Sequence, residues 1–290
     1  MPRMVHAAVR SVPLHHPIHP KRSWSQNFLC DASIAVRIAE EAETALGNAS
    51  GRPAVLELGA GTGALTRELA ARCPKVFALE RDRDLAAVLR RKFAGTPNVE
   101  VLEDNALTIS LQPSAFSLQP LVVVGNLPYH IASQIIFHLI DEREAICTFI
   151  LMLQKELAER ICAGPGSRTY GVISVMCALH TKPRILFDVG PSAFHPRPRV
   201  VSSAVRFDVR SAPAVEVEDE SVFRRVVRAA FSQRRKTLAN SLKPLFPDRT
   251  SLHRSFEAAA IDPGCRAETL GVAGFARLAA QLPHGMKDES

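Results

Sequence analysis

Between residues 54 and 153 short apolar runs recur with amphipathic segments between them, and this alternation restricts the possible folds more than any other feature. AVLEL (54–58), KVFAL (75–79), VEVL (99–102), LVVVG (121–125) and ICTFILML (146–153) have the length and β-branched content of strands. GALTRELAARC (63–73), RDLAAVLRRKF (83–93) and a segment from about Ile131 to Ile140 repeat apolar residues at helical spacing. Strands that alternate with helices return in one direction, so the sheet is expected to be parallel and wound on both faces. A strand such as LVVV, apolar at every position, suits a place covered on both faces. The fold class is therefore α/β with a doubly wound, mostly parallel sheet.

Outside this core the pattern changes. Asp31 can cap a helix carrying Ile34, Ile38, Ala42 and Leu46 on one side. After residue 154, helices near 155–162 and 170–180 precede two strands, 184–189 and 201–208. SAPAVEVEDE (211–220) reads as a linker, and the chain beyond it as helices. Three parts are expected: a disordered basic arm (1–22), a sheet domain (23–212) and a small helical domain (213–290). The arm is free of acids, rich in His and Pro, and lacks the apolar stretch of a secretory signal.

Charge is concentrated. Residues 221–245 hold Arg224, Arg225, Arg228, Arg234, Arg235, Lys236 and Lys243 with no acid, a local +7 that equals the formal charge of the whole chain. A solvated helix face would interleave acids, so this excess points to a polyanionic partner, a nucleic acid. The six cysteines are scattered without a C-x-x-C pair, which indicates neither a zinc site nor a disulfide framework and fits a reducing, cytoplasmic setting. No apolar run reaches the roughly 20 residues of a membrane span, so no membrane partner is expected. A monomer is expected.

The strand ends carry the chemistry. LELGAGTGALT (56–66) closes a strand with Gly59, Gly61 and Gly63, which let the backbone approach a ligand. The spacing differs from the G-x-G-x-x-G of nicotinamide enzymes, which argues against an oxidoreductase. The second strand ends in Glu80, where a carboxylate can accept from both hydroxyls of a ribose. The third ends in EDNAL (103–107), where a polar side chain can meet an adenine amino group. Together they describe an adenosine pocket. The fourth strand runs into GNLPY (125–129), which sets an amide, a constrained turn and an aromatic at the mouth of the sheet.

With these motifs the chain resembles the S-adenosylmethionine-dependent rRNA adenine N6-dimethyltransferases, from about residue 20 to 282. The landmarks are SQNFLCD (25–31), LELGAGTG (56–63), ALERD (78–82), GNLPY (125–129), FHPRPRVVSSAVRF (194–207), FSQRRKTLANSL (231–242) and RAETL near 266–270. The last two look like the bacterial small-subunit enzyme and less like the antibiotic-resistance methylases of the large subunit. The resemblance implies a Rossmann-like class I methyltransferase fold and S-adenosylmethionine as cofactor. It implies the 16S rRNA of the small ribosomal subunit or its precursor as substrate, dimethylated at two adjacent adenines of the 3′-terminal hairpin loop. It implicates Asn27, Leu29, Gly59, Glu80, Asn105 and Asn126 in cofactor binding, with Asp104 as an alternative to Asn105, because Asn105 stands where the family has Asp. It implies catalytic roles for Asn126, Tyr129 and Phe194, the two rings holding the faces of the base. Arg224, Arg225, Arg228, Arg234, Arg235 and Lys236 are expected to grip RNA phosphates from helices. No metal is required.

The chemistry explains the amide. The exocyclic nitrogen of adenine is a poor nucleophile because its lone pair is delocalised into the ring. The Asn126 side-chain oxygen and a backbone carbonyl of the Leu127–Pro128 turn can accept its two N–H groups and aim the lone pair at a methyl donor. Pro128 fixes the turn and brings no competing N–H. Three rivals stand beside this reading: a large-subunit methylase, a mainly non-catalytic ribosome-assembly factor, and an amide-nitrogen protein methylase whose motif has Pro at the position of Leu127.

Overall fold

The computed structural model of the chain describes residues 27–112, 116 and 118–282. The arm expected at 1–22 lies outside the described residues. A seven-stranded sheet forms the centre, built from β2 (Ala54–Leu58), β3 (Val76–Leu79), β4 (Val99–Leu102), β5 (Leu121–Asn126), β6 (Ile146–Gln154), β7 (Thr181–Val189) and β9 (Ser202–Val209) in the order β4-β3-β2-β5-β6-β9-β7. Neighbours from β4 to β6 pair in parallel, and β9 runs antiparallel to both β6 and β7. A short ribbon, β1 (Phe28–Leu29) against β8 (Phe194–His195), joins two segments far apart in sequence.

The alternation of β5 explains its apolar run. Val122 and Val124 face a layer with α1 (Ala32–Gly47) and α2 (Ala64–Arg72), which holds Ile38, Ala42 and Leu69. Leu121 and Val123 face the opposite layer, with α4 (Ala132–Asp141) and α5 (Lys155–Ile161) and the stacked rings of Phe149 and Phe207, 4.4 Å apart. A strand covered on both faces gains from apolar side chains at every position. Asp31 caps α1 by accepting the Ser33 N–H at 2.9 Å, as its position before the apolar series predicts. Strand β7 starts three residues earlier than its apolar pattern indicates and includes Pro183, which an edge strand tolerates.

A third core lies in α7 (Glu220–Phe231), α8 (Leu238–Leu242), α9 (Arg249–Ala259) and α10 (Val272–Ala279), around Phe223, Phe256 and Phe275. This core does not stop at the expected boundary of 212. Helix α6 (Val172–His180) gives Ile173 and Cys177 to the sheet side, and Val175, Met176 and Leu179 to the helical side. One helix with two apolar faces therefore ties the regions together. An ionic joint reinforces it: Arg224 of α7 pairs with Asp141 and, at 3.1 Å, with Glu220, and Glu220 also meets Arg143 at 3.0 Å and His180 at 3.1 Å. Burial holds His180 below the usual imidazole range, and Glu220 is its hydrogen-bond partner.

Candidate active site

In a parallel sheet the carboxyl ends of the strands share one rim, and loops leaving it open a crevice there. Leu58 lies beside Leu79 and Gly125, and Leu79 beside Leu102, so the ends of β2 to β5 meet. A cavity of about 310 Å³ opens at this rim, lined by Asn27, Gly59, Glu80, Asp104, Asn105, Asn126 and Tyr129 among others. Six of the positions expected from the sequence, and Asp104 as the alternative to Asn105, thus reach one cavity from five segments of chain.

Glycine at 59 keeps the cavity side of the loop open. Gly59 has φ +71°, and a Cβ there would meet nothing within 4 Å, so a side chain would project into open space. At Gly125 the constraint is different: a Cβ would lie 2.9 Å from the Leu58 carbonyl, so only glycine lets β5 approach β2 this closely. Lys92, which sequence reasoning missed, braces the loop from the far side. Its ammonium donates to the Thr62 carbonyl at 2.7 Å and the Gly63 carbonyl at 3.3 Å.

Glu80 is 6% exposed and accepts two backbone N–H groups, from Gly61 at 2.8 Å and Asp82 at 2.8 Å, one on each oxygen. Burial raises its pKa, against the lowering effect of those two donors. A carboxylate has about four acceptor sites, so capacity remains for two hydroxyls. Glu80 therefore shapes the loop as well as lining the cavity. Glu57, on the strand just before the loop, is buried, accepts from the Thr66 hydroxyl at 2.6 Å and is pushed up by burial to about 8.

At the end of β4, Asp104 accepts the Asn105 N–H at 2.6 Å, and the Asn105 side-chain oxygen accepts the Leu107 N–H at 3.2 Å. Both side chains line the cavity. At the end of β5, the Asn126 amide donates to the Asn27 carbonyl at 2.7 Å. That contact fixes which end of the amide is nitrogen and leaves Oδ1 as its acceptor. The hydroxyl of Tyr129 lies 2.7 Å from the Ser202 hydroxyl at the start of β9.

Two expected positions fall elsewhere. Leu29 is 6% exposed and Phe194 is 2% exposed, and both pack in the core against α1. They sit opposite each other in the β1–β8 ribbon, so both side chains leave the ribbon on the face away from the cavity. Phe28, the neighbour of Leu29, lines the cavity instead, and a Cβ on Gly61 would come within 3.0 Å of its ring. In this structure Phe194 presents no face to a ligand. Its contribution is to hold β1, and through it Asn27 and Phe28, at the rim.

The basic residues also divide. Arg228, Arg234, Arg235 and Lys236 are exposed. The last three lie in the connection between α7 and α8 and not on a helix, and Arg234 donates to the Arg168 carbonyl at 2.5 Å. Arg224 is committed to Asp141 and Glu220, and Arg225 is half-buried on the same helix. Burial and ion pairing make Arg224 part of the joint between the regions.

The cavity suits an adenosine-bearing group: an open glycine cradle, a buried carboxylate on the second strand and polar side chains on the third. Comparison with known proteins agrees. The family described as ribosomal RNA adenine dimethylase matches residues 19–282. The Ribosomal RNA small subunit methyltransferase A of Moorella thermoacetica is 41% identical, covering 91% of this chain and 93% of that protein. The protein of that name from Methylococcus capsulatus is 44% identical, covering 91% and 98%. Among solved structures, a dimethyladenosine transferase from Plasmodium falciparum superposes with a TM-score of 0.73 at 26% identity, covering 87% of this chain and 95% of that one. A 23S rRNA methyltransferase, ErmE, gives 0.65 at 30% identity, covering 88% and 99%. With the fold of the class I S-adenosylmethionine-dependent methyltransferases and a match over nearly all its length, the chain belongs to the ribosomal RNA adenine dimethylase family.

Proposed function

We propose that this enzyme dimethylates N6 of two adjacent adenines in the 3′-terminal hairpin loop of 16S rRNA, within the small ribosomal subunit or its precursor. The observation that carries the chemistry is the amide of Asn126, locked by the Asn27 carbonyl with its oxygen left to accept, at the rim of the cavity. The substrate assignment rests on relatives at 41% and 44% identity named for the small subunit, against 30% for the 23S rRNA methyltransferase.

S-adenosylmethionine, when bound, supplies a methyl group on a positively charged sulfur that departs as a neutral thioether. Gly59, Glu80 and Asn105, with Asp104 beside it, would hold the adenosine portion, and Asn27 and Phe28 would close the cavity over it. Asn126 Oδ1 accepts one N–H of the target amine. A backbone carbonyl of the Leu127–Pro128 turn is the second acceptor; that of Pro128 also accepts the Ile131 N–H at 3.2 Å and has one further lone pair. In the first transfer two acceptors favour a pyramidal nitrogen with its lone pair directed outward. The methylated, cationic amine then releases a proton to solvent, and in the second transfer the one remaining N–H keeps one acceptor. Orientation of this kind supplies most of the rate enhancement. Tyr129 gives one stacking face. The base must first leave its stack, at a cost of a few kcal/mol unless it lies in a loop.

Residues 23–212 carry the chemistry, and the helices beyond them, with Arg228, Arg234, Arg235 and Lys236, hold RNA phosphates. The protein acts as a cytoplasmic monomer. Incubating unmethylated small subunits with labelled cofactor and mapping the products tests the whole reading. Dimethyladenosine at two adjacent positions near the 3′ end of 16S rRNA is expected. Label in 23S rRNA alone would transfer the substrate to the large subunit, and no label would leave binding without chemistry.

A further inference from the structure

The segment carrying the amide and the aromatic is held by two side-chain clamps. On one side the Asn126 amide donates to the Asn27 carbonyl at 2.7 Å. On the other, the Tyr129 and Ser202 hydroxyls meet at 2.7 Å across 73 residues of sequence. Both clamps depend on one stretch of chain, 194–202. Its first residues form β8, which pairs with β1 and so places Asn27. Its last residue is Ser202 itself. Ser202 cannot drift, because it is fully buried and paired with Gln154 of β6 on one side and Val189 of β7 on the other.

We propose that Ser202 is a positioning residue for methyl transfer, resting on the reading of the cavity as an adenine site: it fixes the plane of the Tyr129 ring relative to Asn126 Oδ1. The physical reason lies in the degrees of freedom of a tyrosine. Torsion about the Cβ–Cγ bond is broad and roughly two-fold, so packing against one edge leaves the plane loose. A hydrogen bond at the far end of the ring, to a group anchored in the sheet, removes that looseness. A stacking base takes its plane from the ring, and its amine then meets the Asn126 oxygen at a fixed height. Without the clamp the ring still lines the cavity and the base still binds, but fewer bound molecules have the amine aligned. The role thus belongs to kcat and not to cofactor or RNA affinity. It also gives the Tyr129 hydroxyl a function, where a purely stacking account needs only the ring.

Three variants test this: Ser202→Ala, Tyr129→Phe and the double variant. Each is read by single-turnover transfer to unmethylated small subunits at saturating cofactor, by cofactor and RNA affinity, and by the ring-carbon NMR resonance of Tyr129, one of two tyrosines in the chain. Loss of one neutral hydrogen bond predicts about a fivefold fall in the transfer rate for either single variant. Both affinities stay within about twofold, and the double variant is no slower than either single one, because both remove the same contact. The Tyr129 resonance shifts in Ser202→Ala. Wild-type rates in the single variants, or multiplying losses in the double variant, overturn the proposal. An unshifted resonance overturns the clamp even if the rates fall. Should Ser202→Ala fold poorly, Tyr129→Phe removes the same bond without touching β9. A wild-type enzyme that methylates no adenine overturns the adenine reading instead, and the resonance still reports on the clamp.

Discussion

The rim of the sheet and the basic connection between α7 and α8 use polar groups in opposite ways. At the rim, Glu80, Asn105 and Asn126 are each committed to backbone groups at 2.7–3.2 Å while lining the cavity. In the connection, Arg235 and Lys236 are exposed, and their neighbour Arg234 spends one N–H on a loop carbonyl. The first arrangement fixes positions and suits chemistry that fails with small displacements. The second offers charge at long range and suits a flexible polyanion. Arg224 marks the border, since its ion pairs with Asp141 and Glu220 turn a basic residue into a structural one.

The comparison breaks most clearly at Asn126. Replacing it by Ala removes the acceptor and the clamp together, and single-turnover transfer is expected to fall about 100-fold or more, the scale of losing one preorganised polar group at a reacting centre. RNA affinity should stay within about twofold, and a filter-binding assay on the same preparation checks this. Parallel losses of both would mean that the rim and the basic connection act as one surface.

The reverse separation is expected for Arg234→Ala, Arg235→Ala and Lys236→Ala combined. RNA affinity should fall by tens-fold at moderate salt, and the slope of log K against log salt should flatten by about 2 to 3, because each lost phosphate contact contributes somewhat under one. Cofactor affinity should not change. Arg224→Ala should leave that slope alone and lower thermal stability instead, through the orphaned Asp141 and Glu220.

Glu80→Gln sharpens the account of the rim. The amide keeps one acceptor, for the Gly61 or the Asp82 N–H, turns its NH2 toward the other and loses the charge, so calorimetry should show S-adenosylmethionine bound about 10-fold more weakly, near 1.4 kcal/mol. Unchanged affinity would remove Glu80 from the ribose contact and leave it as a support for Gly61.

A separate effect is a pH dependence of stability. Glu57 ionises near the ordinary carboxylate value of 4.5 when unfolded and at about 8 when folded. The folded state therefore binds more protons between these values, and this contribution is fully present below 4.5 and lost as pH rises through 8. Glu57→Gln should flatten the fall in melting temperature over that window, while the carbonyl oxygen keeps an acceptor for Thr66. A wild-type melting temperature that does not respond to pH there would place the proton elsewhere.

Much of the rim was legible beforehand because it depends on local signals. Strand ends follow from where apolar runs stop, and the strands at 54–58 and 99–102 have the boundaries their residues indicate. Glycines at a strand end announce a close approach. The two-residue ribbon β1–β8 carries no such signal. Two residues hold no period, and their pairing depends on a partner more than 160 positions away. The alternation of side chains within it therefore cannot be phased from the sequence, and the resemblance implicates Leu29 where the structure sets Phe28 at the cavity. The stacking role that the resemblance implies for Phe194 meets the same limit, since its ring lies on the core face of the ribbon.

The basic run was visible as composition, but composition does not say which cations are spent internally. Nor did the linker at 211–220 mark the limit of the helical core, because α6 carries two apolar faces and each is an ordinary helix pattern by itself. The sequence by itself determined the class of sheet, the strand ends that line the cavity and the place of the basic run, since all three arise from short-range periodicity and local residue type. The tertiary structure alone decided that Asn126 is held by Asn27, that Tyr129 is held by Ser202, and that Arg224 joins the two regions. These contacts span 99, 73 and 83 residues, and hydrogen bonds and ion pairs are decided by distances of a few tenths of an ångström that no local pattern encodes.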